Sequence, residues 1–270
     1  HGKTACDIPL PCICDTVPKP EFVTPEPDGV DAVDWEDLEL HNAEWSDIFW
    51  TALGSPNFAS KRWIWEQYDH EVQTNTVVGP GCGAAVSRIW GYEGLLVSTI
   101  DGNGLWCQLD PYEGTRCVVA EAARNIVAAG GKPLAVTNNL NLGSPRKTNG
   151  YWQLEQVVKG LGDACRAFDT PVTGGNVSLY NESPRTVVFP SPVVGMIGVI
   201  EKPANLIQGF FRRVGERIYL IGPPATHCGG SRILRDREGR IVGPEVSLDL
   251  NAELASQNAV SRVIREGLIT

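Results

Sequence analysis

The sequence predicts an α/β (α+β) chain with mixed sheets, and three observations carry that prediction. Residues 95–100 (LLVSTI) form a short apolar run closed by Asp101-Gly102-Asn103-Gly104, a turn signal at a strand end. Residues 112–129 place Val118, Val119, Ala122, Ala123, Ile126 and Val127 on one side of a helix, which Gly130-Gly131 stops. Apolar runs and helical patterns then alternate, as they do where helices cover a sheet.

The elements follow in chain order. Residues 1–45 are rich in Pro and acidic side chains (Pro18, Pro20, Pro25, Pro27, Asp28, Asp31, Asp34, Glu36, Asp37) and read as an extended connecting segment. Trp45, Trp50, Trp63, Trp65 and Tyr68 follow, with only Lys61 and Arg62 interleaved. That is too little positive charge for a base-stacking platform, so the aromatics read as a surface that packs on a neighbouring domain. Pro133–Thr137 reads as a strand and residues 149–168 as a second helix, with Leu154, Val157, Val158, Leu161 and Cys165 facing inward. Pro171–Thr173 starts a strand that Gly174-Gly175 should break. Val193–Ile200 reads as a buried strand with two glycines where something packs closely. A second unit starts near Gly215: a strand at Arg217–Ile221 (RIYLI), the Gly222-Pro223-Pro224 turn, and a helix over 248–266. These elements are too few to bury a core, so the second domain is expected to be cut short.

The 270 residues carry 32 acidic and 23 basic side chains, a net charge of −9. Such a surface argues against nucleic acid or a membrane as partner, both being polyanionic, and no apolar run reaches membrane-spanning length. It does not exclude a small phosphorylated ligand, which a nest of backbone N–H groups can hold. The eight cysteines include no CxxC pair and no Cys/His set with zinc spacing. They are expected to be reduced thiols in a cytoplasmic protein. The chain begins at His1, without a helix start or strand cap, and both ends are expected to be cut edges of a longer protein.

Four clusters could carry chemistry, and each has a plainer reading. Gly79-Pro80-Gly81-Cys82-Gly83-Ala84-Ala85 could form an anion nest or simply a tight turn. Glu121 and Asn125 stand one helical turn apart, so both oxygens leave the same side and suit a hard cation such as Mg²⁺; the same spacing is common on helix surfaces. The run Thr137-Asn138-Asn139-Leu140-Asn141-Leu142-Gly143 puts amides at a strand end, where α/β sheets bind ligands, or else forms an Asx-rich loop. In Gly174-Gly175-Asn176-Val177-Ser178-Leu179-Tyr180-Asn181-Glu182, Asn176 and Ser178 share a side and could meet phosphate and metal; a bulge is the alternative. No Ser-His-Asp or Cys-His arrangement is readable, so no catalytic residue is named.

Taken in order, Ser60-Lys61-Arg62-Trp63, Tyr68-Asp69-His70, Thr74-Asn75-Thr76-Val77, Leu109-Asp110-Pro111, Glu121 to Asn125, Asn139-Leu140-Asn141, Gly175 to Glu182 and Pro190-Ser191-Pro192-Val193 resemble one family. It is the phosphoribosylformylglycinamidine synthase family, and the match is to the second repeat of its synthetase component. The resemblance implies an aminoimidazole ribonucleotide synthetase-like fold: 1–45 the end of a preceding repeat and a linker, 46–200 a barrel-forming α/β domain, 201–270 the start of an α/β sandwich domain. It implies a purine-biosynthesis ligase that converts formylglycinamide ribonucleotide, ATP and glutamine-derived ammonia to the amidine, ADP and phosphate. The catalytic His of the family belongs to the first repeat, so this chain alone is expected to be inactive.

Matched residue by residue, the resemblance puts Asn138 and Gly175 near ATP, Asn176 on Mg²⁺ and Ser178 on the ribonucleotide substrate. Glu121 and Asn125 match metal ligands of an auxiliary nucleotide pocket that can hold ADP. The implied partners are the missing first repeat, a glutaminase subunit or domain and a small accessory subunit. Gly83 and Asn138 stand where the family has Asp, and Leu105 where it has Arg. Two further readings are a non-catalytic nucleotide-binding scaffold half, and a sister synthetase of the same architecture such as selenophosphate synthetase or a hydrogenase-maturation protein.

Overall fold

A computed structural model describes residues 2–14, 42–225, 227–244 and 246–269. Most of the connecting segment expected at 1–45 lies outside the described residues.

Eight helices and six strands are formed among them. The helices are α1 (Leu10–Cys14), α2 (Asn42–Gly54), α3 (Arg62–Trp65), α4 (Gly104–Leu109), α5 (Pro111–Ala128), α6 (Thr148–Ala167), α7 (Arg232–Glu238) and α8 (Leu250–Arg265). The strands are β1 (Thr76–Val78), β2 (Ala85–Arg88), β3 (Leu95–Asp101), β4 (Lys132–Asn141), β5 (Val172–Ser178) and β6 (Ser191–Ile200). They form one mixed sheet in the order β1-β2-β3-β6-β4-β5, antiparallel except for the parallel β4–β5 pair. The predicted alternation of strands and helices is therefore present, with β5 at an exposed edge.

The core lies between one face of the sheet and α5 with α6. Val97 of β3, Val136 of β4, and Val194 and Met196 of β6 meet Val118, Val119, Ala122, Ala123 and Ile126 of α5, all buried. Period-2 alternation puts these strand residues on the helix-covered face and leaves Ile100 and Ile197 exposed on the other. The two glycines foreseen in β6 do mark close approaches. A Cβ at Gly198 would lie 2.4 Å from Ile126 Cγ2 and 2.6 Å from the Lys132 carbonyl oxygen, so α5 seats against β6 only because the side chain is missing.

The start of α5 is set locally. Asp110 Oδ1 accepts from Tyr112 N at 2.8 Å and Glu113 N at 2.9 Å, and Pro111 occupies the first helical position, where no N–H is needed. Asp110→Ala is expected to lower stability by about 1 kcal/mol in urea unfolding, the usual cost of a lost N-cap.

Four expectations are corrected. Pro133–Thr137 is only half of β4, which continues through the amides to Asn141. The strand from Val172 does not break at Gly174-Gly175 but runs through them to Ser178, because β4 pairs with it all the way. Its irregularity is a bulge: Val136 faces Val172 and Thr137 faces Gly174, leaving Thr173 as the extra residue. Val158 is 51% exposed, on the outer side of α6, since Val157 takes the inward position of that turn. Residues 217–221 form no strand: Ile218, Tyr219 and Leu220 are exposed, with no neighbouring strand to pair with among the described residues.

The helix predicted at 248–266 is present as α8, and it packs on α5. Gln257 Nε2 donates to the Ala120 carbonyl at 3.3 Å, Arg116 donates to the Leu248 carbonyl at 3.0 Å, and Arg124 pairs with Glu253 at 2.9 Å. The Trp-rich segment is exposed at Trp45, Trp50 and Trp63. No helix among the described residues is long and apolar enough to cross a membrane.

Candidate functional site

The four clusters read from the sequence resolve into two places on the sheet. The first lies where the end of β3, α5 and the turn before β2 converge. Glu121 and Asn125 of α5 are joined there by Asp101, the last residue of β3. Asn125 Nδ2 donates to Asp101 Oδ1 at 2.8 Å. Thr99 Oγ1 lies 2.7 Å from Asp101 Oδ2 and 3.1 Å from the Gly83 carbonyl oxygen. Its single proton goes to the carboxylate, the shorter and charge-assisted partner.

The electrostatics of this corner are set by burial. Desolvation raises the Asp101 carboxyl above the ordinary range, against the hydrogen bonds from Thr99 and Asn125 and the charge of Arg124. Glu121 is raised too, first by burial and then by the Asp101 charge, with Arg124 opposing. Two half-buried carboxylates that repel each other beside an amide oxygen form an oxygen-rich corner of the kind that suits a hard cation. Among the described residues no three His, Cys, Asp or Glu side chains cluster as a complete metal site, so any cation here would draw other ligands from water, amides or phosphate. Gly83 borders this corner: a Cβ on it would lie 2.9 Å from Asn125 Oδ1. An Asp at this position would therefore need Asn125 to move.

Asp101 is absent from the sequence reading, which took Asp101-Gly102-Asn103-Gly104 only as a turn. The signal available was a carboxylate at a strand's last position, the place where α/β sheets present ligand-binding groups.

The second place is the β4–β5 edge. Three inter-strand spacings separate β3 from β5, about 14 Å. In register, Asn138 lies beside Gly175, Asn139 beside Asn176, and Asn141 beside Ser178. A Cβ at Gly175 would stand 2.6 Å from Asn138 Oδ1, so glycine here makes room for the Asn138 amide. Asn176 Nδ2 donates to Asn139 Oδ1 at 2.9 Å, and Ser178 Oγ donates to Asn181 Oδ1 at 3.1 Å.

Alternation divides the four residues matched to this edge. Asn138 and Gly175 share the helix-covered face with Val136 and Leu140, while Asn176 and Ser178 share the open face. The segment after β5 is clamped to the β4–α6 loop. Tyr180 sits at φ 62° and donates its N–H to the Gly143 carbonyl at 3.1 Å. Glu182 accepts from Ser144 N at 3.2 Å and pairs with Lys147 at 2.9 Å, and Lys147 holds its carboxyl below the usual range. A non-glycine residue in the left-handed region costs energy, and such strain gathers at functional sites. The sequence places Asn181 and Glu182 at the end of the fourth cluster but gives neither a role.

Parts of the chain are similar to known proteins. Residues 81–200 match the family model "AIR synthase related protein, N-terminal domain". Among solved structures, PurLQS from Thermotoga maritima is 37% identical over 55% of this chain and 25% of that one, with a TM-score of 0.51. T. maritima PurL complexed with ADP is 30% identical over 70% of this chain and 29% of its own, at 0.52. T. maritima PurL complexed with FGAR is 28% identical over 77% and 30%, at 0.54. The chain thus spans between a quarter and a third of the length of these structures. Residues 81–200 are therefore similar to an AIR synthase related N-terminal domain, and the chain is similar over part of its length to the synthetase PurL.

Proposed function

We propose that this chain is part of an ATP-dependent carbon–nitrogen ligase that makes formylglycinamidine ribonucleotide from formylglycinamide ribonucleotide, ATP and ammonia. The observation that carries the reading is the β4–β5 edge. It places Asn138, Gly175, Asn176 and Ser178 in register within a sheet that matches PurL, and PurL structures hold ADP and FGAR. In this reaction ATP phosphorylates the amide oxygen and ammonia displaces the phosphate, so the protein's work is positioning and charge neutralisation.

In this reading Asn138 and the side-chain-free Gly175 border ATP, Asn176 lends an amide oxygen to Mg²⁺, and Ser178 meets the ribonucleotide. Asp101, Glu121 and Asn125 hold the cation of an auxiliary ADP pocket, a fit supported by the two carboxyls that burial has raised. Mg²⁺, when bound, neutralises phosphate charge. Domain limits at 45 and 200, a complementary first repeat, a glutaminase, a small accessory subunit and a cytoplasmic location complete the proposal; PurLQS supports the partners. The chain alone is expected to show no turnover.

A non-catalytic nucleotide-binding half is the second reading. It is favoured by Gly83 and Asn138, which each lack a carboxylate, and by the Asn125 amide already committed to Asp101.

The test is Ser178→Ala in the whole synthetase. The KM for the ribonucleotide is expected to rise about 3- to 10-fold, the worth of one hydrogen bond, with the KM for ATP unchanged. Equal changes in both, or none, would remove Ser178 from the substrate.

A further inference from the structure

We infer that Asn181 is a positioning residue that commits the Ser178 proton, so that Ser178 faces the substrate as a hydrogen-bond acceptor. The inference rests on the reading above that Ser178 meets the ribonucleotide, and it specifies which part of that substrate Ser178 can meet.

The argument is one of donors and acceptors. The Asn181 side chain touches three groups: the Leu142 carbonyl at 3.1 Å, the Ser178 carbonyl at 2.8 Å and the Ser178 hydroxyl at 3.1 Å. Carbonyl oxygens only accept, so the end of the amide that faces both of them is the NH₂ group. The end left facing Ser178 Oγ is then Oδ1, which has no proton. The hydroxyl must donate to it, and a serine has only one proton to give. What remains on Oγ is lone pairs.

The arrangement is held from the backbone as well. Asn181 N donates to the Leu142 carbonyl at 3.1 Å, and Val188 N donates to the Asn181 carbonyl at 3.0 Å. Turning the amide over would place Oδ1 against two carbonyls and lose both bonds. Ser178 therefore meets an N–H or O–H of the ribonucleotide, from its amide or its ribose, and not the phosphate, whose oxygens would face lone pairs.

The experiment is a double-mutant cycle in the whole synthetase, with formylglycinamide ribonucleotide and inorganic phosphate as probes. Ser178→Ala and Asn181→Ala are each expected to weaken the ribonucleotide about 3- to 10-fold. The double variant should be no weaker than the worse single one, since Asn181 acts through Ser178. Inhibition by inorganic phosphate should be unchanged in Ser178→Ala. Multiplying effects in the double variant would show that the residues act independently and overturn the proposal. A parallel loss of phosphate inhibition would show that Ser178 donates to phosphate, and would overturn it too. If Ser178→Ala leaves the ribonucleotide unaffected, the site reading itself fails.

Asn181→Asp covers the case in which Asn181→Ala does not fold. It keeps the oxygen toward Ser178 and removes the donor to the two carbonyls, so Tm should fall while ribonucleotide affinity holds. Affinity lost in step with Tm would mark Asn181 as structural only and overturn the proposal.

Discussion

Replacing Gly130 by alanine should destabilise the chain by about 2–5 kcal/mol in urea unfolding. Two costs add. Gly130 ends α5 at φ 93°, a conformation that costs a residue with a Cβ roughly 1–2 kcal/mol. A Cβ there would also lie 2.0 Å from the Asn205 carbonyl oxygen and 2.9 Å from its carbon. Those are backbone atoms in a turn tied down nearby, where Ile207 N donates to the Ala129 carbonyl at 3.1 Å, so little can give. Overpacking of this kind costs about 1–3 kcal/mol. Gly215→Ala separates the terms, because Gly215 has φ 90° and nothing within 4 Å of its would-be Cβ. It should show only the conformational cost. Equal losses at 130 and 215 would mean that the Asn205 turn yields freely.

The sequence made this glycine visible as a helix stop but not as a packing point, and that division recurs. Local pattern was legible. The apolar side of α5, the run 95–100 and the buried strand at 193–200 all stand where period 3.6 or period 2 puts them, because the sheet and helices bury those faces. Pairing was not legible. Gly174-Gly175 looks like a break in isolation, and only the parallel partner β4 explains a strand that runs through it. RIYLI has the composition of a strand but, among the described residues, no neighbour to pair with.

The site divides in the same way. Glu121 and Asn125 were readable from helical spacing, and Asn176 and Ser178 from strand spacing. Asp101 was missed as a site residue, because it reaches Asn125 across 24 residues. Asn181 stood in the fourth cluster without a role, because its amide is oriented by the Leu142 carbonyl 39 residues away.

The Asp101–Glu121 corner yields the second large effect: with chelator present, Asp101→Asn should raise Tm at neutral pH, and Mg²⁺ should stabilise only the wild-type chain. Both carboxyls are raised in the folded state, so the fold binds their protons more tightly than the unfolded chain does. Their contribution to stability is therefore full below the ordinary carboxylate value of about 4, and it is lost as pH rises through the raised folded values. Once pH has risen past those values the two carboxylates are charged, desolvated and mutually repelling. Asn at position 101 removes the charge and keeps the bonds. Asn125 can still donate to Oδ1, the new NH₂ group can donate to Thr99 Oγ1, and Thr99 can turn its proton to the Gly83 carbonyl 3.1 Å away.

The Tm gap between Asp101→Asn and wild type should thus narrow as pH falls toward 4. Groups that titrate with the opposite slope, such as Asp163 and Glu182, are common to both chains and cancel. Mg²⁺ at about ten times its Kd should stabilise the wild type by about 1.4 kcal/mol, or about 3–6 °C for a chain of this size. The variant, with half the carboxylate charge, should gain little. A wild-type Tm indifferent to Mg²⁺ at pH 7, or an equal gain in Asp101→Asn, would remove this corner as a cation site while leaving the β4–β5 edge untouched.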